Sequence, residues 1–210
     1  MRRGGIGLAA VLLTAGIVAT GLWALEGTEP DTAGSDFSAT PLNSIDTTAL
    51  TVARAEFCSA VDPREVEAAL LGEAVEHDSY ANGDEVTLTE GLTDVAHEFG
   101  CAWTGADGTV ARAWLFVPPV KTALARRLIK SASSTPGCTS SAEPAFGTPS
   151  VGLTCREPSP SASYRGLFGD AWLTCEVTPA PGSTDLDQVR ARAGGWCVAV
   201  ARAAAATDPA

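Results

Sequence analysis

Hydrophobic residues recur at helical spacing just after residue 60. The segment DPRE at residues 62–65 has the form of a helix start, because Asp can cap the first turn, Pro fits the first helical position and Glu can complete a capping box. The pattern predicts a first helix that ends near Gly72 or continues to Val75. Its apolar stripe consists of Val61, Val66, Ala69 and Leu70.

Two further segments have the same helical period. Residues 120–130 place three apolar side chains, Val120, Leu124 and Leu128, on one side, with basic residues elsewhere. The segment TDLD at residues 184–187 is predicted to cap a final helix. The apolar positions of that helix are Leu186, Val189, Ala193, Trp196, Cys197 and Val200.

Alternation of apolar and polar residues predicts β-strands between these helices. Residues 86–89 form one short strand, and residues 98–104 and 109–117 form a hairpin around a glycine-containing turn. Residues 150–155 and 165–177 form a second hairpin around a loop at 157–161. The order α-β-β-β-α-β-β-α predicts an α+β fold, in which an antiparallel sheet of about five strands packs on helices.

The N-terminal 25 residues carry a basic start followed by a long uncharged apolar run, long enough as a helix to span a bilayer. They predict a transmembrane anchor with Arg2 and Arg3 inside; a cleaved signal segment is the alternative. Residues 26–52 are polar and rich in Gly, Pro, Ser and Thr, so they are expected to form a flexible linker. We therefore expect a single-pass protein of the cell membrane with its C-terminal domain, residues 53–206, outside, or else a secreted protein.

Six cysteines follow the apolar segment, and an even number in an oxidising compartment predicts disulfides rather than a metal site. No Cys-x-x-Cys pair is present, which disfavours structural zinc. Any pairing is formally open, but bonds in sequential order would each join a helix or its flank to a neighbouring strand. We therefore predict the pairs Cys58–Cys101, Cys138–Cys155 and Cys175–Cys197.

The formal charge is −11, and it becomes −13 once the two positive charges of Arg2 and Arg3 are set apart from the external part. Such an acidic chain argues against nucleic acid and anionic lipid headgroups as partners. The two histidines, His77 and His97, are expected to be solvated loop residues. No nucleophile elbow, phosphate-binding loop or metal motif is recognisable, so we expect neither enzymatic activity nor a cofactor nor a metal.

Two function classes remain for this chain. The first is a ligand-binding or sensory domain with an unknown small-molecule ligand, and the second is an interaction module that docks another envelope protein. A deep apolar pocket would favour the first class, and a flat exposed aromatic patch the second.

Strand alternation gives a candidate site. If Cys101, Cys155 and Cys175 point toward the helices, the same face carries Val151 and Leu153, and alternate residues lie on the opposite face. That face could hold a ligand groove or a docking patch, or it could be covered and form ordinary core. Its members are Arg112, Trp114, Phe116, Trp172, Thr174 and Glu176.

The pair Phe57-Cys58 before a capped helix, followed by Gly100-Cys101-Ala-Trp103 at the start of a hairpin, resembles the actinobacterial lipoprotein-like DUF3558 family. The similarity covers residues 53 to 205. It implies an envelope protein with an α+β fold and brings no catalytic residues. The chain departs from the family in lacking a cysteine for lipid modification after its apolar segment, and the second half of that family is variable.

Overall fold

The computed structural model describes residues 37–205, which contain three α-helices and nine β-strands. The anchor or signal expected at residues 1–25 lies outside the described residues. No helix within residues 37–205 is both long and apolar enough to cross a membrane. The helices are α1 (Pro63–Leu70), α2 (Thr122–Ala132) and α3 (Leu186–Ala203). The strands are β1 (Ala74–Tyr80), β2 (Glu85–Thr89), β3 (Leu92–Val95), β4 (Glu98–Gly105), β5 (Val110–Phe116), β6 (Cys138–Ser141), β7 (Ser150–Cys155), β8 (Ser161–Phe168) and β9 (Ala171–Thr178).

The strands form one seven-stranded sheet in the order β1-β4-β5-β9-β8-β7-β6 and a separate two-stranded ribbon, β2-β3. Every pairing is antiparallel, so the predicted α+β class is confirmed. The predicted number of about five strands is wrong. The sequence did not predict strands β1 and β6. They are the polar, mostly exposed edges of the sheet, where no apolar face is needed, so their residues show no alternation of apolar and polar positions.

The stretch at residues 165–177, predicted as one strand, is a hairpin. It contains the end of β8, a turn at Gly169-Asp170 and the start of β9, with Leu167 opposite Trp172 in the register. Strand β8 occupies the interior of the sheet, yet much of its sequence is small or polar. Its alternation is too weak for sequence reasoning to separate it from the preceding loop.

The helices cover both faces of the sheet. Helices α1 and α3 contribute to the main core, with side chains of β4, β5, β8 and β9. Helix α2 packs on the opposite face, where Ala132 meets Val151 and Leu153. Those two residues and Cys155 therefore face α2, and the prediction that they share one face with Cys101 and Cys175 is wrong. The sequence periodicity identified α2 but carries no information about which face of the sheet it covers.

The three predicted disulfides are confirmed and tie neighbouring elements together. Cys58–Cys101 joins the turn before α1 to β4, and Cys175–Cys197 joins β9 to α3. Cys138–Cys155 links residues directly opposite each other on β6 and β7. The last bond holds the short edge strand β6 in place.

Residues 37–52, which the sequence assigned to a flexible linker, pack on the domain. Two 3-10 turns, Leu42–Ser44 and Thr47–Ala49, bury the side chains of Leu42 and Thr47. Residue Val52 forms a bridge with Ala205 beyond the end of α3. The compact unit that contains the sheet thus begins at Phe37, not near residue 53 as predicted. We call residues 37–49 the N-terminal strap.

Candidate functional site

The six residues of the predicted surface do share one face of the sheet. The register sets Arg112 opposite Glu176 and Trp114 opposite Thr174. Helix α2 covers part of this face, so that Trp172 is 3% exposed and packs against Ala125. Thr174, on the same face, is 1% exposed. These two buried residues cannot be reached from solvent.

The remainder of that face is a shallow strip, and Phe116 within it packs against the cluster that Trp172 forms with α2. Arg112 is exposed, and Trp114, Phe116 and Glu176 are half-buried. Beyond the end of α2 lies a hollow of about 260 Å³ that includes Glu176 but neither aromatic residue of the strip. The structure therefore offers a surface for contacts here, without a groove between the predicted tryptophans.

A deeper cleft lies on the other side of the sheet, and sequence reasoning missed it. Its volume is about 600 Å³, within the range usual for small-molecule sites. The N-terminal strap, α1 and α3 form its walls, and Tyr164 of β8 contributes as well. We call it the strap cleft. The lining is mostly apolar and includes Phe37, Ala39, Pro41, Leu42, Ala68, Ala69, Leu71, Pro144, Gly194 and Gly195.

Two adjacent glycines in α3 allow the strap to approach the helix closely. A Cβ atom at Gly194 would stand 3.3 Å from the Cβ of Leu42, and one at Gly195 would stand 3.0 Å from the Cβ of Ala39. Glycine inside a helix costs roughly 1 kcal/mol relative to alanine. This destabilisation of α3 occurs at both glycines, but the missing side chains allow the strap to pack on the helix and form a wall of the cleft.

Hydrogen bonds fix the strap at two further points. The Thr47 hydroxyl donates to the carbonyl oxygen of Ala145 at 2.9 Å and accepts from the Gly147 N–H at 3.0 Å. The Arg202 guanidinium donates to the Thr40 hydroxyl at 3.0 Å. With Leu42 seated against Gly194, these bonds define the position of the strap over α3.

Leu71 lies on the cleft lining in an unusual state. It caps the C-terminus of α1 with φ 60°, ψ 32°, and within residues 37–205 no other non-glycine residue has positive φ. Its side chain is 63% exposed. A left-handed conformation strains a leucine, and the adjacent Gly72 would adopt it freely. An exposed, strained leucine at a cleft is unexplained by packing within the described residues, and strain of this kind concentrates at functional sites.

The polar groups of the strap cleft come mainly from α3. Asp187, Arg190 and Arg192 line it, beside the ring of Tyr164. Burial raises the pKa of Tyr164, an effect partly opposed by the positive charge of Arg190. Burial lowers the pKa of Arg192, and the attraction of Asp107 opposes that shift. Arg192 remains charged despite this shift, since a guanidinium does not lose its proton in proteins.

The histidines do not converge on a metal or acid–base site. His77 lies on β1, not in a loop as predicted, and its ring stacks on Trp103 with centroids 4.5 Å apart. His97 lies between β3 and β4. Within residues 37–205 no group of three His, Cys, Asp or Glu side chains is arranged to hold a metal ion.

Two sequence signals could have revealed the strap cleft. The supposed linker contains Leu42, Ile45 and Leu50, which are too apolar for a solvated tether. The pair Gly194-Gly195 within a strongly apolar helix indicates close approach of another segment. Comparison of the chain with protein-family models, with curated proteins and with solved structures finds no match.

Proposed function

We propose that the chain is a non-enzymatic, extracytoplasmic ligand-binding or sensory domain of the cell envelope, attached to the membrane by its N-terminal segment, and that the strap cleft holds its ligand. The observation that carries this proposal is the 600 Å³ cleft, whose lining includes the exposed, strained Leu71. A ligand in the cleft would cover apolar surface that is otherwise left to water, and this burial favours binding.

The apolar N-terminal segment and the disulfides support the location outside the membrane. Disulfides persist in oxidising compartments, where the predicted orientation would place the domain. The resemblance to the actinobacterial lipoprotein-like DUF3558 family points the same way. The strip formed by Arg112, Trp114 and Phe116 supports the alternative, a module that docks another envelope protein.

The experiment uses a chain of residues 26–210, with its disulfides verified by mass spectrometry of non-reduced peptides. N-phenyl-1-naphthylamine, a neutral apolar dye that fluoresces when shielded from water, reports on the cleft. We expect Ala68→Trp to fill the cleft and abolish the fluorescence gain. The matched control, Ala123→Trp, makes the same change at an exposed position of α2 and should bind the dye like the parent.

Unchanged dye binding in the correctly folded Ala68→Trp variant would refute the strap cleft as a ligand site. The interaction alternative predicts a different result. Replacement of Trp114 would then remove binding to an envelope protein, while the cleft-filling variant would retain it.

A further inference from the structure

Two arginines of α3 line the strap cleft without an ion-pair partner among residues 37–205. The ion pairs in this part of the chain are Arg54–Asp170 and Arg64–Asp62, so neither Arg190 nor Arg192 takes part in one. The Nε atom of Arg192 is buried and has no hydrogen-bond partner in the described structure. Arg190 is exposed and water can solvate it, whereas Arg192 is half-buried and its unpaired guanidinium is costly. An acidic chain of charge −11 contains many carboxylates that could have relieved this cost.

Two carboxylates of this region, Asp107, which attracts Arg192, and Asp187, which lines the cleft, are engaged elsewhere. Asp107 accepts hydrogen bonds from the N–H and the hydroxyl of Thr109 at 2.8 and 3.0 Å. Asp187 lies in the first turn of α3, where the positive end of the helix dipole favours an acidic residue. The guanidinium groups of Arg190 and Arg192 therefore line the strap cleft and form no ion pair within residues 37–205.

The remaining lining is apolar and extends from Pro41 of the strap to Leu71 at the end of α1. From this juxtaposition we infer that the ligand is a small amphiphile with a single anionic group: its acid binds at Arg190 and Arg192, and its apolar body covers Leu71 and Ala68. This inference rests on the proposed function, since it names the chemical class of the ligand for the same cleft. A guanidinium suits such an acid because it donates two parallel hydrogen bonds to a carboxylate.

The experiment uses the full chain in nanodiscs of neutral phospholipid and two photoreactive probes. One probe is decanoic acid with a diazirine in mid-chain, and the other is decanol with the same diazirine. After illumination, peptide mass spectrometry measures how much of each probe is attached to cleft residues such as Ala68 and Leu71. We expect the acid to label the cleft about tenfold more than the alcohol, because its head would form charge-assisted hydrogen bonds.

The double variant Arg190→Gln/Arg192→Gln should reduce the acid-to-alcohol ratio to near one while alcohol labelling stays as in the parent. The control Arg127→Gln removes an exposed arginine of α2 and should leave the tenfold ratio intact. The melting temperatures of the Arg127→Gln variant and of the double variant are compared with that of the parent to verify that both variants are folded.

The outcomes separate this inference from the proposed function. Equal labelling of the cleft by both probes, unaffected by the arginine substitutions, would overturn the inference and leave a cleft that binds uncharged apolar molecules. Absence of both probes from the cleft residues would overturn the proposed function together with the inference. A ratio that falls equally in the Arg127→Gln control would show that general charge, and not the cleft arginines, attracts the acid.

Discussion

The left-handed conformation of Leu71 leads to an unusual prediction about glycine. At an exposed position inside a helix, an Ala→Gly change costs roughly 1 kcal/mol. At residue 71 the sign should be reversed, because alanine keeps the steric strain of positive φ whereas glycine relieves it. We therefore compare Leu71→Ala with Leu71→Gly, and both with the parent.

The magnitudes follow from exposure and backbone geometry. The Leu71 side chain is 63% exposed, so that truncation to alanine removes about a third of a buried leucine's transfer free energy, or ~0.7 kcal/mol. The further step to glycine relieves ~1 to 2 kcal/mol of strain and gives back ~0.5 to 1 through backbone entropy. Leu71→Gly should thus be ~0.5 to 1 kcal/mol more stable than Leu71→Ala and close to the parent.

Urea and thermal unfolding of the oxidised chain measure this difference, which corresponds to roughly 1 to 4 °C in melting temperature for a domain of this size. The control pair is Arg127→Ala and Arg127→Gly in α2, where the glycine variant should be the less stable. Both Leu71 variants should also bind the neutral dye more weakly than the parent. A Leu71→Gly variant less stable than Leu71→Ala would refute the reasoning about backbone strain.

The remaining predictions concern the core, a buried carboxylate and a disulfide. Trp172→Ala should lower the unfolding free energy by ~3 to 5 kcal/mol, because the Trp172 side chain is 3% exposed. Trp114 is half-buried, so Trp114→Ala should lower it by roughly 1 to 2 kcal/mol. Equal losses in urea unfolding would contradict the assigned burial. Burial raises the pKa of Glu65, an effect that the charge of Arg202 opposes, so the folded state binds this proton more tightly than the unfolded chain. Glu65→Gln should therefore be more stable than the parent at pH 7. The difference in unfolding free energy should vanish as the pH falls below glutamate's ordinary pKa of about 4.3. A stability difference that persists in acid would argue against desolvation of Glu65 as its cause. Joint replacement of Cys58 and Cys101 by serine opens a loop with a sequence separation of 43. The double variant should lose ~4 kcal/mol of unfolding free energy, measured by calorimetry or urea unfolding. A loss below ~1 kcal/mol would show that the bond does little to constrain the unfolded chain.

The elements that sequence reasoning found are those whose side chains have a clear apolar period. Helix α3 is nearly continuous in its buried residues, and the β4–β5 hairpin alternates well enough to be recognised. Strand β1 could not be recognised in the same way. Its residues pair with β4 through the backbone, while its side chains remain largely exposed and therefore carry no pattern.

The disulfide pairing was predictable because sequential bonds connect elements that are neighbours in the chain and in space. The sequence did not predict which part of the candidate surface is covered, because nothing in residues 120–130 indicates on which face of the sheet α2 lies. Burial of Trp172 follows from the position of α2 on that face. The strap cleft depends on the packing of Leu42 against Gly194, a contact between residues far apart in the chain. The apolar residues of the supposed linker and the glycine pair of α3 each indicate a packing contact, but they do not show that these two segments meet.

The attachment of the N-terminal strap also determines how the domain responds to tension. The strap precedes Cys58, the first cysteine in the chain, so no covalent cross-link holds it to the domain. A pull applied from the N-terminal side would break the Arg202–Thr40 hydrogen bond before it separates Leu42 from Gly194. The two hydrogen bonds of Thr47 would break after these contacts. Such peeling proceeds one contact at a time and requires little force, whereas the Cys58–Cys101 bond would stop it from spreading into α1 and β4. Because the strap is also a wall of the cleft, mechanical load would open the cleft while the rest of the fold stays intact.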